Sequence, residues 1–233
     1  MVDSEGGQQQ PARRSQRTAL TILGLIGAIT IGFAIGFLVR LPLDTDSDSP
    51  AADSVDVGFA QDMAVHHAQA VEMASLALNN SADPLVKNLA YDILTTQQNQ
   101  IGQMQGWLSL WGRSTVPGAY MAWMKDDGND GHSHSGMGHD MSSDSPTKMP
   151  GMATPEEISK LRATTGPAGD VLFLQLMLRH HQGGLTMMEY AAAHAEVSAV
   201  RDLAQTMVDT QQSEAHLITG MLEQRGAQPL PMN

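Results

Sequence analysis

The sequence predicts an all-α protein, a four-helix bundle made from two duplicated helical hairpins and preceded by one transmembrane helix. Three observations lead to this fold class. An uncharged, largely apolar run occupies positions 19–39, and the chain repeats itself at an offset of 114 residues. Aromatic residues make up only 4% of the chain, so aliphatic and methionine side chains have to fill the core. Such a core favours helices over a β-sandwich.

Composition excludes several classes of protein. The chain has no cysteine, which excludes disulfides, thiolate nucleophiles and iron–sulfur clusters. The formal net charge of -12 argues against a nucleic-acid partner, since binding to phosphates requires a basic surface.

The apolar run predicts a membrane anchor. About twenty apolar residues in a helix span a hydrocarbon core of roughly 30 Å. Arg13, Arg14 and Arg17 precede the run and several aspartates follow it, which places the N-terminus in the cytoplasm. We therefore expect a cytoplasmic tail at 1–18, a single-pass anchor at 19–39 and an acidic linker at 40–57. A cleaved signal peptide is the alternative, but Arg40 and Pro42 follow the run where a small-residue cleavage site would stand.

The rest of the chain contains an internal repeat. Residues 59–111 align with residues 173–225 without a gap, and 15 of these 53 positions are identical. A repeat of this length indicates two copies of one supersecondary unit that bury their apolar faces against each other. The predicted organisation is a first hairpin at 58–113, a crossover at 114–168, a second hairpin at 169–226 and a tail at 227–233.

Local signals mark the ends of the predicted helices. Asp83 followed by proline is typical of a helix start, and Gly112 is typical of a helix end. Asp170 is the predicted cap of the second hairpin. Thr154 with Glu157 predicts a capping box that opens a short helix in the crossover.

Each copy carries the pattern Met-x-x-His-His followed by a further methionine. At roughly 100° per residue these side chains lie within one stripe of the helix, so the two stripes would face each other inside the bundle. Two interpretations stay open: methionines on such a stripe commonly fill a core, and buried histidines can belong to a hydrogen-bonded network. Gln97 and Gln211 are the expected partners of the imidazoles. The candidate metal ligands in the bundle are Met63, His66, His67, Met73, Met177, His180, His181 and Met187.

The crossover carries a second set of donors. Here methionine and histidine alternate in a polar segment where methionine has no packing role. Thioether sulfur with imidazole, in the absence of thiolate, favours copper and especially Cu(I). A solvated loop of biased composition is the alternative. The candidate ligands are His132, His134, Met137, His139 and Met141.

Enzyme motifs give little support for catalysis. A ferritin-like di-iron centre requires Glu-x-x-His pairs, which the sequence lacks, and no serine elbow or phosphate-binding loop is present. No catalytic residue is predicted, and whether the chain is an enzyme stays open.

Several runs together resemble the domain-of-unknown-function 305 family across residues 58–226. They are FAQDMAVHHAQAVEMA, FLQLMLRHHQGGLTMMEYA, the two TQQ triplets and HSHSGMGHDM with the later MPGM. The resemblance implies a ferritin-like helical bundle that is secreted or membrane-anchored in bacteria and associated with copper binding or tolerance. It also implies that the bundle histidines and methionines named above are the motif residues.

The leading hypothesis is a membrane-anchored, extracytoplasmic protein of the bacterial cell membrane that binds copper, as Cu(I) or Cu(II), for capture, buffering or tolerance. The expected partners are the metal ion, the membrane and a possible second copy of the chain. Binding is expected to weaken as the pH falls through the ordinary histidine pKa of about 6.5. The alternative is an envelope interaction or scaffold module with structural histidines, and a weaker one is a metal-dependent redox enzyme.

Overall fold

The structure is a computed structural model, and it describes residue 32 and residues 49–124 and 148–233. Within these residues it contains five α-helices and no strand, which confirms the all-α prediction. The helices are α1 (Val55–Asn80), α2 (Pro84–Leu110), α3 (Pro155–Ala163), α4 (Gly166–His194) and α5 (Ser198–Gln224).

The first hairpin begins and ends with clear capping signals. The Ser54 side chain caps α1 by accepting a hydrogen bond from the backbone N–H of Val57. Asp83 caps α2 through Leu85 N–H at 2.9 Å, as the sequence predicts, and Pro84 occupies the first turn. Gly112 follows α2 with a φ of 63°, a conformation that glycine adopts without a Cβ penalty.

The second hairpin begins earlier than the sequence predicts. Asp170 is not the helix cap: α4 starts at Gly166, and Asp170 lies buried inside the first turns of that helix. Pro167 explains the earlier start, since proline is pre-organised for the first turn of a helix. Gly226, with a φ of 64°, follows α5 as expected.

The short helix α3 carries the predicted capping box. Thr154 Oγ1 accepts from Glu157 N–H at 3.2 Å, and Glu157 Oε2 accepts from Thr154 N–H at 2.8 Å. Glu157 also forms an ion pair with Arg179 of α4, so the cap ties the crossover to the second hairpin.

The two hairpins meet through their first helices. Helix α1 packs against α2, α4 packs against α5, and α1 and α4 contact each other between them. Met63 belongs to the same core cluster as Met187, whereas Met73 belongs to a second cluster with Met177. Because the start of α1 therefore matches the end of α4, the two inner helices run in opposite directions.

The helices that the structure describes include none that is long and apolar enough to cross a membrane. The predicted anchor at 19–39 lies outside the described residues, apart from the helical Gly32.

Candidate metal centre

Four buried histidines occupy the contact between α1 and α4. His66, His67 and His180 are 0% exposed and His181 is 2% exposed. The imidazole rings of His66 and His180 are 3.8 Å apart between centroids and tilted by 34°, so rings from the two repeats touch directly. The prediction that the paired histidines turn toward each other inside the protein is confirmed.

A glycine of α4 makes room for one of these rings. A Cβ atom at Gly184 would lie 3.0 Å from Cε1 and 3.4 Å from Nδ1 of His66. The absence of a side chain at Gly184 therefore leaves the space that the imidazole of His66 occupies.

Every one of the four imidazoles forms its hydrogen bond through Nε2, and every acceptor is an oxygen. His67 pairs with Gln100 Oε1 at 2.8 Å and His181 with Glu214 Oε2 at 2.6 Å. His66 pairs with the Pro150 carbonyl at 3.3 Å, and His180 with the carbonyl of His66 at 3.0 Å. Because an oxygen acceptor requires a proton on Nε2, a neutral ring then carries a lone pair on Nδ1.

The Nδ1 atoms of all four histidines are buried and have no hydrogen-bond partner. Both amide atoms of Gln97 and Oε1 of Gln211 share this property, so repeat-related residues supply seven of the nine such side-chain atoms in the described part of the chain. An unpaired buried polar atom is costly, and a group of them is explained by a bound ion or by ordered water. This arrangement is the one that a histidine ligand adopts when a second-shell acceptor fixes its tautomer.

The partners of His67 and His181 are not those that the sequence predicts. Gln97 and Gln211 form no such bond, and the acceptors Gln100 and Glu214 lie three residues further along α2 and α5. Gln100 and Glu214 are related by the same offset of 114 residues. The alignment of the two repeats is a sequence signal that could have identified these two acceptors. Identity between the repeats does not show it, because one position is glutamine and the other is glutamate.

Burial favours the neutral form of His66, His67 and His180. Desolvation lowers the pKa of His66 to about 4 and that of His67 to about 3, and neighbouring imidazoles lower both further. Burial, followed by the proximity of His66, also lowers the pKa of His180 well below its ordinary value. For His66, His67 and His180 the expected loss of binding therefore moves to a pH below 6.5, because these three rings stay deprotonated there.

The histidines do not form a complete metal site by themselves. In residues 49–124 and 148–233 no three His, Asp or Glu side chains are grouped so that they could hold an ion. Buried methionines on the same two helices are the other soft donors that this part of the fold offers. Soft sulfur donors combined with imidazole favour Cu(I) over hard cations.

The candidate methionines are all buried on the two helices that carry the histidines. Met63, Met73, Met177 and Met187 are each 0% exposed. Their membership of two core clusters, one on each side of the histidines along α1, is compatible with packing as well as with ligation.

Met188 of α4 is also fully buried. A Cβ atom at Gly184 would lie 3.6 Å from its terminal methyl carbon, so Met188 packs near the same glycine as His66.

The candidate ligands of the crossover loop, His132, His134, Met137, His139 and Met141, lie outside the described residues. Their role stays a prediction.

The fold and the site define a class of protein: an all-α protein with a duplicated hairpin, whose inner helices bury four repeat-related imidazoles among methionines. Residues 56–222 match the family described as Domain of unknown function (DUF305), and the chain belongs to that family. The resemblance found in the sequence is thereby confirmed.

Solved structures of related proteins share the fold. An inferred secreted DUF305 protein from Streptomyces coelicolor is 41% identical, with a TM-score of 0.66 over 78% of this chain and 99% of that one. A DUF305 fragment from Deinococcus radiodurans is 30% identical, with a TM-score of 0.56 over 73% of this chain and 96% of the fragment. CopM, solved in a Cu(I)-bound form, is 21% identical, with a TM-score of 0.52 over 72% of this chain and 96% of CopM.

A curated relative matches a shorter region. The uncharacterized protein L153 of Acanthamoeba polyphaga mimivirus is 33% identical over 85 residues, which is 36% of this chain. The match spans 50% of that protein, so the chain covers about half the length of this relative.

Proposed function

We propose that this protein binds copper outside the cytoplasm, for capture, buffering or tolerance, and that the segment at 19–39 anchors it to the bacterial membrane. We further propose that the helices form a ferritin-like four-helix bundle with the binding centre between α1 and α4. The observation that carries the proposal is the set of four buried, unpartnered Nδ1 atoms on two helices that also bury four candidate methionines.

The donor set supports a soft monovalent ion. Transferring a cation into the protein interior costs solvation energy that rises steeply with its charge, so Cu(I) is easier to bury than a divalent ion. Neutral imidazole and thioether donors would leave such an ion with its single positive charge. Glu214, whose carboxylate accepts the hydrogen bond of His181, places one acidic group next to the centre.

The relatives agree with this chemistry and location. CopM has been solved with Cu(I), with Cu(II) and with Ag bound, and it shares the fold of this chain. The Streptomyces relative is described as an inferred secreted protein. Together they support a soft-metal role on the outer side of the membrane.

The test measures Ag(I) and Cu(I) binding by the full chain in detergent, by competition against a chromophoric chelator under anaerobic conditions. A loop-silent background, in which the candidate ligands at positions 132–141 are replaced by serine, isolates the bundle. In this background Met73→Leu combined with Met177→Leu removes two sulfur atoms at nearly constant volume, which costs little stability. A second pair, Met63→Leu with Met187→Leu, tests the other core cluster. Met232→Leu, at a half-exposed position in the tail, is the matched control.

We expect the loop-silent protein to keep stoichiometric binding and at least one methionine pair to weaken it about tenfold, or about 1.4 kcal/mol. The control should bind as the background does. Absence of binding in the loop-silent background, or equal affinity for all variants, would contradict a centre in the bundle.

A scaffold module with structural histidines is the second candidate. It is favoured by the lack of three grouped nitrogen or oxygen ligands in the described parts of the chain. Thermal unfolding separates the two, since an ion that binds only the folded state raises the melting temperature and a scaffold shows no shift.

A further inference from the structure

A short segment of the crossover lies across both inner helices. We name this segment, Met149–Ala153, the strap. Gln69 of α1 holds it with two hydrogen bonds: Gln69 Nε2 donates to the Ala153 carbonyl at 3.0 Å, and Ala153 N–H donates to Gln69 Oε1 at 2.6 Å. One turn before Gln69 on the same helix, His66 bonds to the Pro150 carbonyl of the strap.

The backbone of the strap packs directly on the backbone of α4. Gly151 has a φ of 77°, and a Cβ there would lie 2.5 Å from the Arg179 carbonyl oxygen and 2.9 Å from Gly183 Cα. A Cβ on Gly183 would lie 2.3 Å from the Pro150 carbonyl oxygen. Neither position has space for a side chain, so both glycines are required for the strap to sit where it does.

The internal repeat explains why the two copies differ at this place. Gln69 and Gly183 occupy equivalent positions at the offset of 114 residues. The bundle has two equivalent helices but one strap, so one copy has to hold the strap and the other has to leave room for it. Gln69 holds the strap, and Gly183 leaves room for it.

We infer that Gln69 is a positioning residue for the metal centre and acts on His66 through the strap. By fixing Ala153 it fixes the Pro150 carbonyl, which accepts the Nε2 proton of His66 and keeps the lone pair on Nδ1. As far as it concerns an ion, this inference rests on the proposed function.

The test compares three variants of the full chain. Gln69→Met keeps the length of the side chain and removes both bonds to the strap. Gly183→Ala leaves Gln69 intact and displaces the strap from the other side. Gln175→Met is the control, because Gln175 on α4 makes a similar side-chain bond to a backbone carbonyl, that of Gln228 at 2.6 Å, away from the strap.

The first readout is independent of metal. Nitrogen-15 NMR of the metal-free, histidine-labelled protein reports which ring nitrogen of His66 carries the proton. We expect protonated Nε2 in the wild type and the control, and a mixture of both tautomers in Gln69→Met and Gly183→Ala. Helical content by circular dichroism confirms that each variant is folded, and Gln69→Leu, which also removes both bonds to the strap, replaces Gln69→Met if that variant is not.

The second readout is the affinity for Ag(I). Loss of the positioning bond should weaken binding about tenfold, the equivalent of one hydrogen bond, and leave the control unchanged. An unchanged His66 tautomer in both strap variants would overturn the inference, even if silver binding fell. If the wild type binds no silver but the tautomer shifts as expected, the strap assignment stands and the proposed function fails.

Discussion

The buried imidazoles predict a strong loss of stability in mild acid. In the unfolded chain a histidine has a pKa near 6.5, whereas burial lowers the pKa of His66 to about 4 and that of His67 to about 3. Between these values the unfolded state binds protons that the folded state excludes. The contribution to stability is therefore fully present above pH 6.5 and is lost as the pH falls toward about 4.

The size of the effect follows from the same pKa values. Between pH 7 and pH 5 each of the two histidines should cost about 2 kcal/mol, or about 4 kcal/mol together. His180, whose pKa burial also lowers, adds to this loss. Burial raises the pKa of Asp62, which acts in the opposite direction because its stabilising contribution is lost as the pH rises. A net loss of about 4 kcal/mol is a large part of the 5–15 kcal/mol that is typical of a folded domain.

Urea unfolding of the metal-free protein at pH 7, 6 and 5, followed by circular dichroism, measures this loss. His67→Gln should reduce the difference between pH 7 and pH 5 by about 2 kcal/mol, since one of the excluded protons is then absent. His216→Gln is the control, because His216 is exposed on α5. A free energy of unfolding that is equal at pH 7 and pH 5 would refute the reasoning, as would an equal effect of the two substitutions.

Three further outcomes are expected. Gly184→Ala should destabilise the protein by about 1–3 kcal/mol in thermal melting, because its Cβ would lie 3.0 Å from the His66 ring. A Cβ at Gly106 would meet no atom within 4 Å, so the control Gly106→Ala should be neutral or stabilising. An equal effect at the two glycines would contradict the assigned contact. Trp123→Phe removes the indole N–H that donates to Asp62 Oδ2 at 2.8 Å and should cost about 1–3 kcal/mol in urea unfolding. An unchanged free energy of unfolding would contradict a stabilising role for this bond. Binding of Ag(I) at pH 7 should release almost no protons from His66, His67 and His180, because burial keeps these imidazoles neutral. Calorimetry in two buffers of different ionisation enthalpy would show a large difference if they were charged.

The sequence was sufficient for the helices and insufficient for most of the contacts around the histidines. The repeat and the caps at Asp83 and Thr154 can be recognised from residue types alone, and they predict the all-α fold and several helix ends. The start of α4 was missed because Asp170 and Pro167 carry competing start signals, and proline determines the outcome. Local patterns of this kind decide local structure.

The groups that accept hydrogen bonds from the imidazoles are determined by tertiary structure and not by local sequence patterns. The partner of His66 is the carbonyl of Pro150, 84 residues away, and a backbone carbonyl has no signature in the sequence. Gln100 and Glu214 contact their histidines because of how the outer helices turn against the inner ones, which depends on the packing of the whole unit. Residue spacing could place the histidines on one face, but only tertiary structure determines which nitrogen each of them presents.

The pairing of Gln100 with Glu214 has a consequence for how such a chain can diverge from a symmetric ancestor. Two identical hairpins associated about a twofold axis carry the same residue at the two positions equivalent to Gln100 and Glu214. The number of carboxylates at these positions is then either zero or two. Fusion into one polypeptide lifts that restriction, and this chain has an amide beside His67 and a single acid beside His181. A single acidic group next to the paired histidines is an arrangement that no dimer of identical halves could reach with these two positions.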